Sequence, residues 1–233
     1  WNIAQFLAIF SAAISQTMFP KMSETAGDNG PEAVADLVNT ALSFSGLIMI
    51  PGIVGSILLG GNILAIYGSD FRQAGVVLSI LIGATLLQSY QKQLTTTINA
   101  LDRPDAAFQV NLVFIVSNVV LNIGLILIYG WVGAAVAPAA SVAVSLALAY
   151  YYVDILLEFR FPISEVVKQW VAAGIMGVTL ILLLQFRSEY LSIGDHIAVE
   201  LSLMPTGAII YFSVLLILSA QFRMTVRNNM PNN

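Results

Sequence analysis

The chain has 233 residues, of which 58% are hydrophobic and only 9% charged, with a mean hydropathy of +0.86 and a formal net charge of −4. Soluble domains carry charge on roughly a quarter of their residues, and a single core could not bury this much apolar surface. A soluble globular protein is therefore excluded. We predict an all-α, polytopic membrane helical bundle, because only segments whose backbone groups pair internally can cross lipid.

The residue types also exclude several kinds of chemistry. Cysteine is absent and His196 is the only histidine, which rules out disulfides, thiolate nucleophiles and a histidine metal cluster. We therefore expect no metal and no cofactor, and the absence of a basic patch argues against a nucleic-acid partner. Trp1 lies inside an apolar run without a basic flank, so we expect a fragment lacking its N-terminal part rather than a signal peptide.

Seven segments are apolar and long enough to cross a hydrocarbon core, which needs roughly 17–25 residues. In chain order they are predicted at 1–19, 38–59, 74–99, 107–129, 131–153, 167–186 and 201–222. The fourth and fifth carry no charge and are separated by Gly130 alone, which predicts a tight hairpin. Pro51, Pro138 and Pro205 fall within spans, where a kink is tolerated if neighbouring helices cover the freed carbonyl.

The basic residues predict the orientation of these spans. Cytoplasmic loops of membrane proteins are enriched in Lys and Arg. With the N-terminal end outside and the C-terminus in the cytoplasm, only Arg72 and Arg187 lie outside. The predicted inner set is Lys21, Lys92, Arg103, Arg160, Lys168, Arg223 and Arg227. The predicted location is the cell membrane, with multiple passes in this orientation.

Four segments of the first 153 residues follow one another in an order that is typical of one family. They read "SAAISQTMFPKMSE", "IPGIVGSILLGGNILAIYGSDFRQAGVVLSIL", "TTTINALDRPDAAFQVN" and "SNVVLNIGLILIYGWVGAAVAPAAS". The chain thereby resembles the lipid-linked oligosaccharide flippases of the multidrug/oligosaccharidyl-lipid/polysaccharide exporter superfamily. One departure is Asp102, where that family often has glycine.

The resemblance implies a domain organisation. Members of the family have two lobes of six helices around a central cavity, followed by two extra helices. Residues 1–153 would then form the C-terminal lobe without its first helix. Residues 154–233 would supply the two additional transmembrane helices and a short cytoplasmic tail. The missing N-terminal lobe of the same polypeptide is an expected partner.

A polar stripe crosses the third predicted span. Its members recur at spacings of three, four, three and four, so they lie on one helix face: Thr85, Gln88, Lys92, Thr95 and Asn99. The next span carries Asn111, Asn118 and Asn122 at spacings of seven and four. The first predicted span offers Gln5, Ser11, Ser15 and Gln16 at less regular positions. Polar groups facing lipid would each cost several kcal/mol, so all of these are expected to face the bundle interior or a hydrated cavity.

Each stripe has two interpretations. Asn118 and Asn122 either line a substrate pathway or bond across helices as interhelical glue. Lys92 lies about two turns from the cytoplasmic end of its helix, so it either extends its ammonium to the interface or attracts the phosphate of a substrate. The predicted substrate pathway comprises Lys92, Gln88, Thr95, Asn99, Asn118 and Asn122.

The leading hypothesis is a flippase that translocates lipid-linked oligosaccharide by alternating access, which is a transporter and not an enzyme. Its partners would be that substrate, membrane lipids and a coupling ion, H⁺ or Na⁺. A cation-coupled multidrug exporter is the alternative, although no predicted span contains the carboxylate that such an exporter typically uses. A membrane glycosyltransferase is disfavoured, because only Asp102 and Asp105 approach a carboxylate site.

Overall fold

The computed structural model describes residues 2–190 and 196–229, and every regular element in that part of the chain is helical. The prediction of an all-α membrane bundle is confirmed. The α-helices are α1 Asn2–Asn29, α2 Ala35–Ser45, α3 Met49–Ala65, α4 Gly75–Ala100, α5 Pro104–Leu157, α6 Ile163–Tyr190, α7 His196–Leu218 and α8 Ala220–Asn229. Two short 3₁₀ helices, Pro31–Val34 and Ser69–Ala74, precede α2 and α4.

Helix α5 is a hairpin of two arms, 104–129 and 131–157. Gly130 has φ 59° and ψ −135° and interrupts the helical conformation. The arms approach so closely that a Cβ added to Gly133 would overlap the carbonyl oxygen of Leu125. Farther from the turn, the hydroxyl of Tyr152 donates a hydrogen bond to Oε1 of Gln109. The predicted tight hairpin at Gly130 is therefore confirmed.

The number of membrane crossings follows from this hairpin. Five of the described segments are long and apolar enough to cross a membrane, and the bent pair of α7 and α8 is a sixth. The 54 residues of α5 count once among them. Because each arm is itself long enough to cross the hydrocarbon core, the described part of the chain has enough long, apolar helix for seven crossings, the number predicted.

Two boundaries differ from those predicted. The span predicted to end at residue 19 continues as α1 to Asn29, with Pro20 inside the helix. The span predicted as a single helix over 38–59 is instead two helices, α2 and α3, separated by a turn at 46–48. Pro51 explains this break, because its ring lacks an N–H and clashes with the carbonyl four residues earlier, which belongs to Leu47.

The last predicted span, 201–222, is also interrupted. Helix α7 ends at Leu218, and α8 leaves at an angle of 104°. Ser219 stands between them, and its Oγ accepts a hydrogen bond of 3.0 Å from the backbone N–H of Phe222. That contact caps the first turn of α8 and fixes the start of a new helix.

The chain divides into two compact units. The first is Trp1–Met49 with Ile80–Pro162, and the second is Ile50–Ser79 with Ile163–Asn233. The first unit has a buried core that includes Met22, Leu42, Leu94, Ile98 and Val110. In the second, α6 packs on α7, and Leu180, Tyr211 and Leu215 are buried. The predicted boundary between residues 153 and 154 stays a prediction.

Candidate functional site

A cavity of about 560 Å³ opens within the first unit, with walls from α1, α4 and α5. Most of its lining is polar. Helix α4 forms one wall, α1 forms a second with residues that include Gln5 and Ser11, and α5 adds Asn111 and Phe114. The side chains from α4 are Thr85, Gln88, Ser89, Gln91, Lys92, Thr95, Thr96 and Asn99.

All five members of the stripe predicted on α4 line this one cavity. Their spacing places them on one face of the helix, and the fold turns that face towards α1 and α5. Lys92 is the positively charged residue of the lining, and the lining contains no Asp or Glu. The cavity is therefore a polar, neutral-to-positive surface that can accept hydrogen bonds from, and donate them to, a polar solute.

The polar groups of the stripe differ in how many hydrogen bonds they can still form. The hydroxyls of Thr85 and Thr95 donate to the backbone carbonyls of Leu81 and Gln91, at 2.7 and 2.9 Å. Because each hydroxyl has one proton, which is used in this bond, the two threonines can only accept hydrogen bonds from a solute in the cavity. In contrast, Lys92 and Asn99 are exposed in the cavity. Lys92 forms no ion pair with any residue in 2–190 or 196–229.

The side of α4 next to the cavity face packs against α1. Gln93 has 0% of its surface exposed, and its Nε2 donates to the backbone carbonyl of Ser11 at 3.1 Å. Farther along the helix, the hydroxyl of Thr97 lies 3.6 Å from Sδ of Met22. Both contacts join α4 to α1. Lys92 and Gln93 are neighbours in sequence, yet one faces the cavity and the other the helix interface.

Asn118 and Asn122 do not line this cavity. Within α5, Nδ2 of Asn122 donates to the backbone carbonyl of Asn118 at 2.9 Å and to its Oδ1 at 3.0 Å. Asn111, which does line the cavity, lies two turns earlier on the same face. The asparagine stripe thus begins at the cavity and continues away from it along α5. Its role stays a prediction.

Sequence reasoning missed several lining residues. Ser89 and Thr96 lie one position from predicted members, so a wider face of α4 would have included them. Gln5 and Ser11 of α1 were expected to face the bundle interior or a cavity, but their irregular spacing did not place them in a site with α4. Gln91 is 6% exposed and also borders the cavity. Only the packing of α1 against α4 shows that these residues share a site.

The turn after α4 has a structural explanation. Asp102 has φ 57°, the left-handed conformation that glycine adopts without strain. The N–H of Arg103 donates to the carbonyl of Ile98, and the N–H of Asp102 donates to that of Asn99, each at 3.1 Å. This is the Schellman pattern that ends helices. It explains why the family resemblance places glycine at this position.

The comparison with protein families identifies the chain. A family model described as "Lipid II flippase MurJ" matches residues 1–201. The chain belongs to this family. It is accordingly a multi-pass membrane protein, and the resemblance to lipid-linked oligosaccharide flippases is confirmed.

Two relatives of this MurJ-family chain come from Haloferax volcanii. The "Probable flippase AglR" is 35% identical over 230 residues, which cover 97% of this chain and 47% of that protein. The "Probable low-salt glycan biosynthesis flippase Agl15" is 32% identical over 181 residues, which cover 76% of this chain and 38% of that protein. The chain thus spans about half the length of the relatives it matches or less.

A solved structure has the same fold as this MurJ-family chain. It is described as "Lipid II flippase MurJ, inward closed conformation", with a TM-score of 0.76 and 19% identity. The alignment covers 95% of this chain and 45% of that chain. At this level of identity the similarity concerns the helical fold, and it agrees with the all-α architecture.

Proposed function

We propose that this chain is the C-terminal part of a flippase that moves a lipid-linked oligosaccharide across the cytoplasmic membrane. The observation that carries the proposal is the polar cavity, with Lys92 as the cation of its lining and Gln88, Thr95 and Asn99 on the same helix face. Both Haloferax volcanii relatives are named as flippases, and the name of the second, a "Probable low-salt glycan biosynthesis flippase", supports a glycan as the transported group.

The chemistry of the cavity suits such a substrate. A sugar headgroup loses many hydrogen bonds to water on entering lipid, and each unreplaced one costs on the order of 1–3 kcal/mol. Amides and hydroxyls along α4 would replace those bonds. Lys92 would attract the phosphate or pyrophosphate that links sugar to lipid, because bonds to a charged group contribute roughly 1.5–3 kcal/mol. The lipid tail would remain in the bilayer.

The transport cycle would be alternating access, in which the lobe containing this cavity rocks against the N-terminal lobe of the same polypeptide. A coupling ion, H⁺ or Na⁺, would bias the two states. No bond is made or broken in this process, so the protein would act as a transporter and not as an enzyme. The members of its family are named as flippases.

We propose an orientation in which the N-terminal end of the chain is outside and the C-terminus is cytoplasmic. It rests on the excess of basic residues in the predicted inner loops. In this orientation α4 ends at the cytoplasmic side with Ala100, and Lys92 lies eight residues before that end. Eight residues of α-helix span about 12 Å. The cationic part of the cavity would then be close to the leaflet from which the substrate enters.

Reconstitution tests the proposal. The full-length polypeptide that contains this chain would be placed in vesicles with a fluorescently tagged lipid-linked oligosaccharide, and an impermeant quencher would report the fraction of sugar on each side. We expect protein-dependent equilibration of the tag between leaflets. Cationic multidrug compounds, tested in parallel, should not be exported. Export of those compounds without movement of the glycan would instead indicate the multidrug exporter.

A further inference from the structure

The short helix α8 presents one coherent exposed face. Ala220, Arg223, Met224 and Arg227 are exposed, at spacings of three, one and three, which places them on the same side of the helix. Met224 has 58% of its surface exposed between the two arginines. Neither arginine forms an ion pair with a residue in the described part of the chain.

The bend that positions α8 is held by side chains. The hydroxyl of Ser219 donates to Oε2 of Glu165 at 2.6 Å, while its oxygen accepts from the N–H of Phe222. Oε1 of Glu165 in turn accepts from Nζ of Lys168 at 2.6 Å. The ring of Phe222 stacks on Phe212 of α7, with centroids 6.0 Å apart. The inner face of α8 is therefore fixed against the end of α7.

We propose that α8 lies along the membrane surface where α7 ends, and that Arg223 and Arg227 bind the phosphates of anionic lipids there. Helix α7 is apolar, and α8 leaves it at an angle of 104°. Because membrane-spanning helices run near the bilayer normal, α8 then lies close to the membrane plane. Arginine donates hydrogen bonds to phosphate in a fixed fork geometry. Met224, between the arginines, reaches the boundary of the acyl chains.

The charge on this face selects an anionic lipid surface over a neutral one. Helix α8 carries two arginines and no Asp or Glu. Amphipathic helices with basic residues beside an apolar side chain bind in the interfacial region of bilayers. Two basic residues close to an anionic surface shift a docking equilibrium about 30-fold. This interaction concerns the end of α7 and is independent of the cavity in the first unit.

Depth-dependent fluorescence tests this inference on the full-length protein. Met224→Cys carries a polarity-sensitive dye, and the protein is placed in vesicles of phosphatidylcholine alone or mixed with phosphatidylglycerol. Some lipids carry a quencher near the top of the acyl chain. We expect a blue-shifted, quenched dye in the mixed vesicles, with docking weaker by about 30-fold in the neutral ones. High salt should reduce the difference, because it shortens the Debye length to about 3 Å at 1 M.

Charge variants provide the matched control. Arg223→Gln with Arg227→Gln should lose the preference for the anionic vesicles, whereas the corresponding double lysine variant should keep most of it. The measurement on Met224→Cys alone needs neither variant, so a poorly folding double mutant would not remove the test. A dye that stays in water and unquenched in both kinds of vesicle would overturn the proposal. So would equal docking to both.

Discussion

Nε2 of Gln93 donates a hydrogen bond to the backbone carbonyl of Ser11 at 3.1 Å, and this contact joins α4 to α1 beside the cavity. Ser11 itself borders the cavity and is 2% exposed, and its own Oγ has no hydrogen-bond partner in the described part of the chain. The neighbour of Gln93, Lys92, points into the cavity. One turn of α4 thus supplies both the support and the charge of the site.

The first prediction concerns this support. Gln93→Met keeps the side-chain size and removes the hydrogen bond, so we expect a loss of about 0.6–1.7 kcal/mol, the range for interhelical bonds in membranes. Gln93→Glu should cost more, up to about 3.7 kcal/mol at pH 7, because a carboxyl with an ordinary pKa must be protonated to stay buried. Thermal unfolding in detergent measures both. Equal stability of the two variants would show that the residue is not buried as described.

The second prediction concerns the α5 hairpin. Gly133→Ala introduces a Cβ that would overlap the carbonyl oxygen of Leu125, so the arms must separate. We expect a loss of about 1–3 kcal/mol or more. Gly124→Ala is the matched control in the other arm, since nothing lies within 4 Å of its added Cβ. It should be neutral or stabilising by up to about 1 kcal/mol. Thermal unfolding of both variants checks the difference, and similar midpoints would contradict the close approach.

The third prediction separates the two interpretations of the asparagine stripe. The hydrogen bonds from Asn122 to Asn118 lie within one helix, so replacing either residue with leucine should change stability little. If the stripe is part of the pathway, transport in vesicles should fall several-fold at unchanged protein abundance. Val120→Leu, on the opposite face of α5, serves as the control and should transport normally. A parallel loss of stability and transport would instead indicate that the asparagines stabilise the fold through contacts between helices.

The fourth prediction concerns orientation. Gln73, between α3 and α4, and Ser164, at the start of α6, are both exposed. Each would be replaced by a single cysteine in a separate variant. An impermeant thiol reagent added to intact cells should label the cysteine at Gln73 and leave that at Ser164 unlabelled. The 233 residues contain no cysteine of their own, so the chain adds no background. The reverse pattern would invert the proposed topology and place Lys92 near the outer leaflet.

Local patterns predicted the features that depend on one segment. The charge-free run around Gly130 predicted the hairpin, and the three-four spacing of Thr85 to Asn99 predicted a shared face, because both follow from the geometry of a single helix. The break before Pro51 was expected only as a kink. Whether a helix tolerates a proline depends on the groups around the freed carbonyl, which are distant in sequence.

Features that depend on two distant segments were not predicted. The turn from α7 into α8 needs Glu165 of α6 to accept a hydrogen bond from Ser219, 54 positions later. The second wall of the cavity needs α1 to pack on α4, and its residues Gln5 and Ser11 follow no helical period that marks them. Such contacts are set by tertiary packing, which periodicity within a segment does not describe.

The central claim is that the charge of Lys92 acts on the substrate, and one comparison tests it directly. The initial rate of lipid-linked oligosaccharide translocation would be measured in vesicles with equal amounts of wild type, Lys92→Arg and Lys92→Gln. Alanine at Gln88 or Asn99 serves as a milder reference, because neutral hydrogen bonds contribute only about 0.5–1.5 kcal/mol. We predict that Lys92→Arg retains most of the rate and that Lys92→Gln loses about tenfold or more, as expected for a lost bond to a charged group. A Lys92→Gln protein that translocates at the wild-type rate would contradict the account, and would show that the lysine only extends its charge to the membrane interface.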